Sequence, residues 1–309
     1  MVKCEPSTAT APLFSVIIAV YNDWVPLDRC LRSLAEQIHP PDKEVIVVDD
    51  GSREIAPDFI RGWAKSYPLK VVRQPHAGIA SARNRGIQVS KGSLLVFVDA
   101  DCKLQASCLS TLAAIIADSP QHNCFQLHLT GDSSRLVGRA EDLRLITLQN
   151  HLLQPNGCIR YLNTSGFAIR RESVEVERGL FDPAALRAED TLLLANLMLG
   201  GELPLFVTDA IVQHAIPLSL MECLRKDMRS AYLEGKTFDR IASMGVKIRA
   251  SPRERLGMMS LMWKASRKHS IGMLAWFVVL ARLGLGRFVS VACSCFRLWP
   301  SPHGPAGSY

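Results

Sequence analysis

Three apolar runs of strand length, at residues 14–20, 44–48 and 94–98, give way to polar residues at their carboxyl ends. The first leads into Tyr21-Asn22, the second into Asp49-Asp50-Gly51-Ser52, and the third into Asp99-Ala100-Asp101. A strand whose hydrophobicity does not alternate is buried on both faces, as in parallel sheets covered by helices. The spacers agree. Leu27, Cys30, Leu31, Leu34 and Ile38 recur at three-to-four spacing ahead of Pro40-Pro41. Residues 55–67 offer Phe59, Ile60 and Trp63 to a helical face, and residues 78–89 form a third helical stretch closed by Ser90-Lys91-Gly92. With a short strand at 70–73, this alternation predicts right-handed crossovers and a mostly parallel, Rossmann-like α/β sheet flanked by helices. Ligands bind such sheets beyond the carboxyl ends of their strands.

After Asp101 the pattern loosens. Helices are expected over 104–118, 138–153, 190–199 and 218–232, with strands over 123–129, 161–170 and 203–207. A boundary falls near 244–251, where Ser251, Pro252 and Glu254 read as an N-cap, a first-turn proline and a capping box. Residues 1–12 read as a flexible tail with no signal-peptide pattern.

The chain of 309 residues is 48% hydrophobic and 21% charged, a globular balance. Its net charge of +7 suits nucleic acid, anionic lipid or a phosphorylated substrate. Without a basic run interleaved with aromatics or any zinc-finger spacing, nucleic acid is not an expected partner. Nine cysteines, none in a Cys-x-x-Cys pair, read as reduced thiols in a reducing compartment. Cys293-Ser294-Cys295 has no further ligands nearby for zinc.

Two carboxylates one residue apart at a strand end suit a hard cation such as Mn²⁺ or Mg²⁺, which takes oxygen ligands and bridges phosphates. A solvated turn is the alternative. Four further segments favour the metal: Glu44-Val45-Ile46-Val47-Val48-Asp49-Asp50-Gly51-Ser52, His76-Ala77-Gly78-Ile79-Ala80-Ser81-Ala82-Arg83-Asn84-Arg85-Gly86, Asn163-Thr164-Ser165-Gly166-Phe167-Ala168 and Ala188-Glu189-Asp190-Thr191. In this order and spacing the chain, over roughly residues 13–235, resembles the inverting glycosyltransferases of family 2, which have the GT-A fold.

That resemblance implies a division of roles. Residues 13–245 would form the GT-A domain, with a nucleotide-binding half over 13–101 and an acceptor half over 102–245. Asp101 would hold the metal that bridges the diphosphate, and Asp99 the ribose or the metal. Asp50 would read the base and Asp49 would be partly structural. The Ala19 backbone and the Tyr21 ring would line the nucleotide pocket, although Tyr21 also reads as a core aromatic. Gly78 and Arg83 would back the sugar nucleotide, Arg83 as a phosphate or base-edge contact, with a surface salt bridge as its alternative. Asp190 would be the general base and Glu189 its orienting neighbour. His214 reads as a third metal ligand or as a structural histidine. Gly166 and Phe167 would line the acceptor side. Arg225 and Arg229 stand where processive polymerases of the family carry Gln-x-x-Arg-Trp, but the Gln and Trp are absent, which favours a single transfer.

The implied activity is transfer of a sugar from a nucleotide-sugar, UDP-linked for preference, to a saccharide or lipid-linked saccharide in cell-surface glycan synthesis. Two alternatives stand beside it. A sugar nucleotidyltransferase would carry a Gly-rich loop where Val20-Tyr21-Asn22-Asp23-Trp24 stands, and a non-catalytic scaffold would have no use for Asp99, Asp101 and Asp190. Residues 246–309 read as a helical extension with eleven uncharged residues at 271–281, interrupted by Arg282 and Arg287. Arginines inside the run weigh against a clean span. The tail is expected to lie on a membrane surface on the cytoplasmic side; packing on the enzyme or on a second copy, and a distorted span, are the other arrangements.

Overall fold

A computed structural model describes residues 13–132, 134–215, 219–248, 252–268 and 272–296. The tail at 1–12, the Ser251 cap, Arg297 and the side chains of Cys293 and Cys295 lie outside the described residues. The first half alternates as expected: β1 (Phe14–Val20), α1 (Trp24–Ala35), β2 (Lys43–Asp49), α2 (Phe59–Trp63), β3 (Leu69–Arg73), α3 (Ile79–Val89) and β4 (Leu94–Phe97). Then follow β5 (Cys102–Leu104), α4 (Cys108–Asp118), β6 (Cys124–Gly131), α5 (Leu136–Leu152), β7 (Phe167–Arg170), α6 (Glu189–Leu199) and β8 (Leu205–His214). Three helices close the chain: α7 (Leu220–Ser243), α8 (Pro252–Lys268) and α9 (Met273–Phe296).

The eight strands form one mixed sheet in the order β3-β2-β1-β4-β7-β6-β8-β5. β1 to β4 run parallel, β7 turns antiparallel to both β4 and β6, and β6 runs parallel to β8. β1 lies between β2 and β4, so chain order reverses there and leaves a crevice at the carboxyl edge. Both faces of β1 are buried. Val16, Ile18 and Val20 pack with α1 and with Val45 and Val47 of β2; Ile17 packs on the other face with Ile87, Phe97 and Phe167.

Several elements differ from the sequence expectation. α1 stops at Ala35, and Ile38 is exposed. The expected second helix shrinks to five residues, because Ile55 is in solvent and Tyr67 turns inward to donate its hydroxyl to the Leu31 carbonyl. The helix expected from 104 begins only at Cys108, because residues 102–104 form a strand that pairs antiparallel with β8, setting Cys102 opposite His214. β8 runs ten residues through a bulge against β6. α7 extends to Ser243 from a capping box between Ser219 and Glu222.

The tail packs on the chain itself. Ala275, Val278 and Val279 of α9 and Met262 of α8 join Ala140 and Leu143 of α5 in one apolar cluster. Arg282, which interrupts the apolar run, forms a two-bond ion pair with Asp227 of α7 at 2.7 and 3.1 Å and reaches Glu141 of α5 at 3.2 Å.

Candidate active site

The crevice between β1 and β4 gathers most of the expected residues. Asp49 is 1% exposed and accepts a hydrogen bond from the Ser52 amide at 2.8 Å, which makes it a support of its own turn. Asp50 organises the neighbouring loop. Its Oδ1 accepts from Gln74 Nε2 at 2.7 Å and from the Ala77 amide at 3.0 Å. Its Oδ2 accepts from the Gly78 amide at 2.9 Å and lies 2.8 Å from His76 Nδ1. These four contacts use the lone-pair directions of a carboxylate, so reading a base with Asp50 requires the 74–78 loop to release one. Gly78 has φ +89°, a conformation a side chain would strain, and it turns the chain into α3 with its amide on Asp50. The Tyr21 ring stacks on His76 with centroids 4.2 Å apart, a shelf beside the half-buried Ala19 at the end of β1.

Arg83 lies at the centre. Sequence reasoning pointed it at phosphate or solvent, but it is 2% exposed and its guanidinium joins two carboxylates. Nη2 donates to Asp99 Oδ1 at 2.8 Å and Nη1 to Glu189 Oε1 at 2.5 Å. Asp99 takes a second bond, 2.6 Å from the Ser165 hydroxyl. Burial works against ionised Asp99, yet Arg83 and Ser165 outweigh it and hold the carboxyl below its ordinary range. The guanidinium is likewise disfavoured by burial and carried above its ordinary value by its two partners.

Glu189 and Asp190 open α6 and diverge. Ala188, with φ +60°, turns the chain left-handed just before them, a rare conformation for a residue with a side chain. Glu189 points inward to Arg83 and does not orient Asp190 as expected; the Thr191 amide and hydroxyl do, donating to Asp190 Oδ1 at 2.6 and 3.1 Å. Asp190 remains half-buried, and burial together with the Glu189 charge pushes its pKa up to about 7. A carboxyl poised there can exchange a proton at neutral pH.

The β5–β8 pairing brings Asp101 and His214 together, Oδ2 to Nε2 at 3.2 Å, and the Ala215 amide closes the pair on the Asp101 carbonyl. Burial lowers the affinity of His214 for a proton, and Asp101, Glu141 and Asp99 more than offset it, so its pKa rises. Cys102 also lies within reach. Burial pushes its thiol well above the ordinary value, so it stays protonated and is a poor ligand. A carboxylate oxygen in the turn before β5 and an imidazole nitrogen at the end of β8 are a donor set that fits Mn²⁺ or Mg²⁺.

The acceptor-side expectation needs correction. Phe167 is fully buried and stacks near Phe97, while Gly166 is packed so that a Cβ there would lie 2.8 Å from Leu129 Cδ2. From that segment it is Ser165 that reaches the site. Sequence reasoning missed Ser165 and His76 because their partners lie 66 and 26 residues away. The only available signal was their place inside the quoted segments.

Fold and site together define a mixed α/β sheet whose carboxyl edge sets an acid pair against an Asp-x-Asp turn through one buried arginine. The model of glycosyl transferase family 2 matches residues 15–176, so the chain belongs to that family. The uncharacterized glycosyltransferase YibD of Escherichia coli K12 is 36% identical over 197 residues, covering 60% of this chain and 56% of YibD. Across the first curated relatives it matches, this chain spans from about a quarter to little more than half of their length. Among solved structures, the mannosyltransferase PcManGT of Pyrobaculum calidifontis, in complex with GDP-Man and Mn²⁺, aligns with TM-score 0.60 at 21% identity, covering 94% of this chain and 88% of that one. Residues 1–349 of S. aureus TarS, in complex with UDP, align with TM-score 0.56 at 20% identity over 92% and 91%. The fold is thus of the GT-A type.

Proposed function

We propose that the chain is an inverting glycosyltransferase that moves a sugar from a nucleoside-diphosphate donor to an acceptor hydroxyl. The observation that carries this reading is the single guanidinium of Arg83, which ties the Asp99-x-Asp101 turn to the Glu189-Asp190 pair. It joins a donor-holding strand end and a base of suitable pKa in one buried network. Asp101 and His214 would hold the divalent cation, which when bound neutralises charge on the departing diphosphate.

Asp190 takes the proton from the acceptor oxygen as that oxygen attacks the anomeric carbon. The bond from that carbon to the diphosphate oxygen breaks, the electron pair leaves with the diphosphate, and configuration inverts. The Tyr21–His76 shelf and the Asp50-organised loop would receive the base, with a uracil nucleotide favoured. Because the 74–78 loop is held on Asp50 by four contacts, that loop is where base preference would be set. The acceptor we favour is a saccharide or lipid-linked saccharide of a cell-surface glycan. Membership of the transferase family sets aside the nucleotidyltransferase alternative.

The test is calorimetric titration of UDP with and without Mn²⁺ against the parent, Asp101→Asn and His214→Ala. Mn²⁺ should tighten binding to the parent at least tenfold, and both variants should lose that gain. A gain of equal size in all three would remove this pair as the cation site.

A further inference from the structure

The charge of this chain is distributed unevenly. After Glu254 there is no aspartate or glutamate, while seven lysines and arginines occur among residues 255–309, a number equal to the net charge of the whole protein. Up to Glu254 the chain is therefore formally neutral.

α9 adds a second, geometric asymmetry. Its inner side carries Ala275, Val278, Val279 and Arg282, held against α5 and α7. On its outer side Leu274, Phe277, Ala281, Phe288 and Val291 are exposed, Phe277 by 57% and Phe288 by 71%. At 3.6 residues per turn these five fall within an arc of about 100°. Trp263 of α8 packs edge-on against Trp276, which packs in turn against Phe277. Lys264 and Arg267 of α8 and Arg287 of α9 are exposed.

We infer that the α8–α9 pair docks the protein on an anionic lipid surface, with the outer face of α9 in the interface and the catalytic domain held above it. The arc is apolar enough to enter the acyl boundary, its flanking cations complement anionic headgroups, and the tryptophans suit the interfacial layer.

α9 is long and apolar enough to cross a membrane by length and composition. Crossing would take with it the inner face, where Arg282 is paired to Asp227 and Glu141 of two other helices. A symmetric pairing of two copies through this face would bring Lys264, Arg267 and Arg287 of both copies to one interface, a like-charge cost that lipid does not incur. The inference rests on this surface alone and stands apart from the transfer reading.

The test is cosedimentation of the full chain with phosphatidylglycerol and with phosphatidylcholine vesicles. Three exposed cations predict a preference for the anionic vesicles on the order of a hundredfold, weakened by salt. Phe277→Glu with Phe288→Glu should cut binding to phosphatidylglycerol tenfold or more. Lys264→Gln with Arg267→Gln should remove most of the salt dependence. All these side chains are exposed and lie outside the active site, so UDP binding should stay parental even where loss of the Phe277–Trp276 contact lowers the melting temperature, which keeps this test separate from that of the active site. Equal binding by parent and phenylalanine variant would overturn the inference. So would a vesicle-indifferent dimer that the phenylalanine variant dissolves, or retention in vesicles through an alkaline carbonate wash, the mark of a span.

Discussion

Asp190→Asn should leave the protein more stable at pH 8 and nearly inactive. The carboxyl has a pKa of about 7 in the fold, against an ordinary value of 3.8. Between those values the unfolded chain has lost the proton and the folded chain keeps it, so the folded state binds more protons and stability falls as pH rises. At about 1.4 kcal/mol per pH unit, a gap of about three units is worth at most about 4 kcal/mol above pH 7. Partial exposure of Asp190 screens this to roughly 1–3 kcal/mol. Asparagine is nearly isosteric and carries no charge to desolvate beside Glu189.

Urea denaturation of parent and variant at pH 8 and pH 4 measures the effect. The variant should gain roughly 1–3 kcal/mol at pH 8 and little at pH 4. Transfer should fall by about 10²–10⁴, the usual worth of a general base, while UDP affinity stays at the parental value. A variant less stable than the parent at pH 8, or a gain that does not change with pH, would refute the reasoning, since either result denies that the Asp190 charge is disfavoured in the fold.

Two further outcomes follow from the same network. Glu189→Gln removes the like charge that raises Asp190 and leaves Arg83 one carboxylate fewer to balance; both changes lower the Asp190 pKa, so the acid limb of the pH–rate profile should move to lower pH, and an unmoved or upward-shifted limb counts against the pairing. Arg83→Met strands Asp99 and Glu189 and should cost about 3–5 kcal/mol in urea denaturation at pH 8; the loss should shrink at pH 5, where stranded carboxyls take up protons, and a loss independent of pH would point to packing instead of charge.

The sequence makes β1, β2 and β4 legible because runs buried on both faces have one simple signature. The same rule misleads where apolar residues do not reach the core. Ile55 is 81% exposed, and the helix expected around it contracts to Phe59–Trp63. β5 has only three residues and no periodicity to detect, yet it brings Asp101 to His214. The Asp101–His214 pair proposed for the cation was therefore grouped in the sequence only through the family resemblance, with no local spacing to show it. Asp50, Glu189 and Arg83 were visible as members of a site, whereas their pairings were not, because pairings at separations of 16–106 residues are chosen by the packed sheet. Arg282 shows the same limit: along the chain it interrupts an apolar run, while in space it holds that run against α5 and α7.

The acid pair at the start of α6 shows how two adjacent and chemically similar residues acquire opposite states. The helix N-terminus favours negative charge at both, so position on the helix does not separate them. The turn at Ala188 does. It sends Glu189 inward, where the Arg83 guanidinium meets it at 2.5 Å, and leaves Asp190 at the margin with the Thr191 donors. Glu189 is thereby spent on holding Arg83, and its ionised charge raises its neighbour. Arg83 in turn is held to Asp99, so the strand that would carry the donor and the helix that would carry the base share one buried cation. A shift of α6 relative to β4 would have to break a charge-assisted hydrogen bond in a buried site, a change costing several kcal/mol. The spacing between the Asp99-x-Asp101 turn and Asp190 is therefore set by a rigid ionic link and not by the loops between them, which an in-line displacement with its base on the far side of the sugar requires.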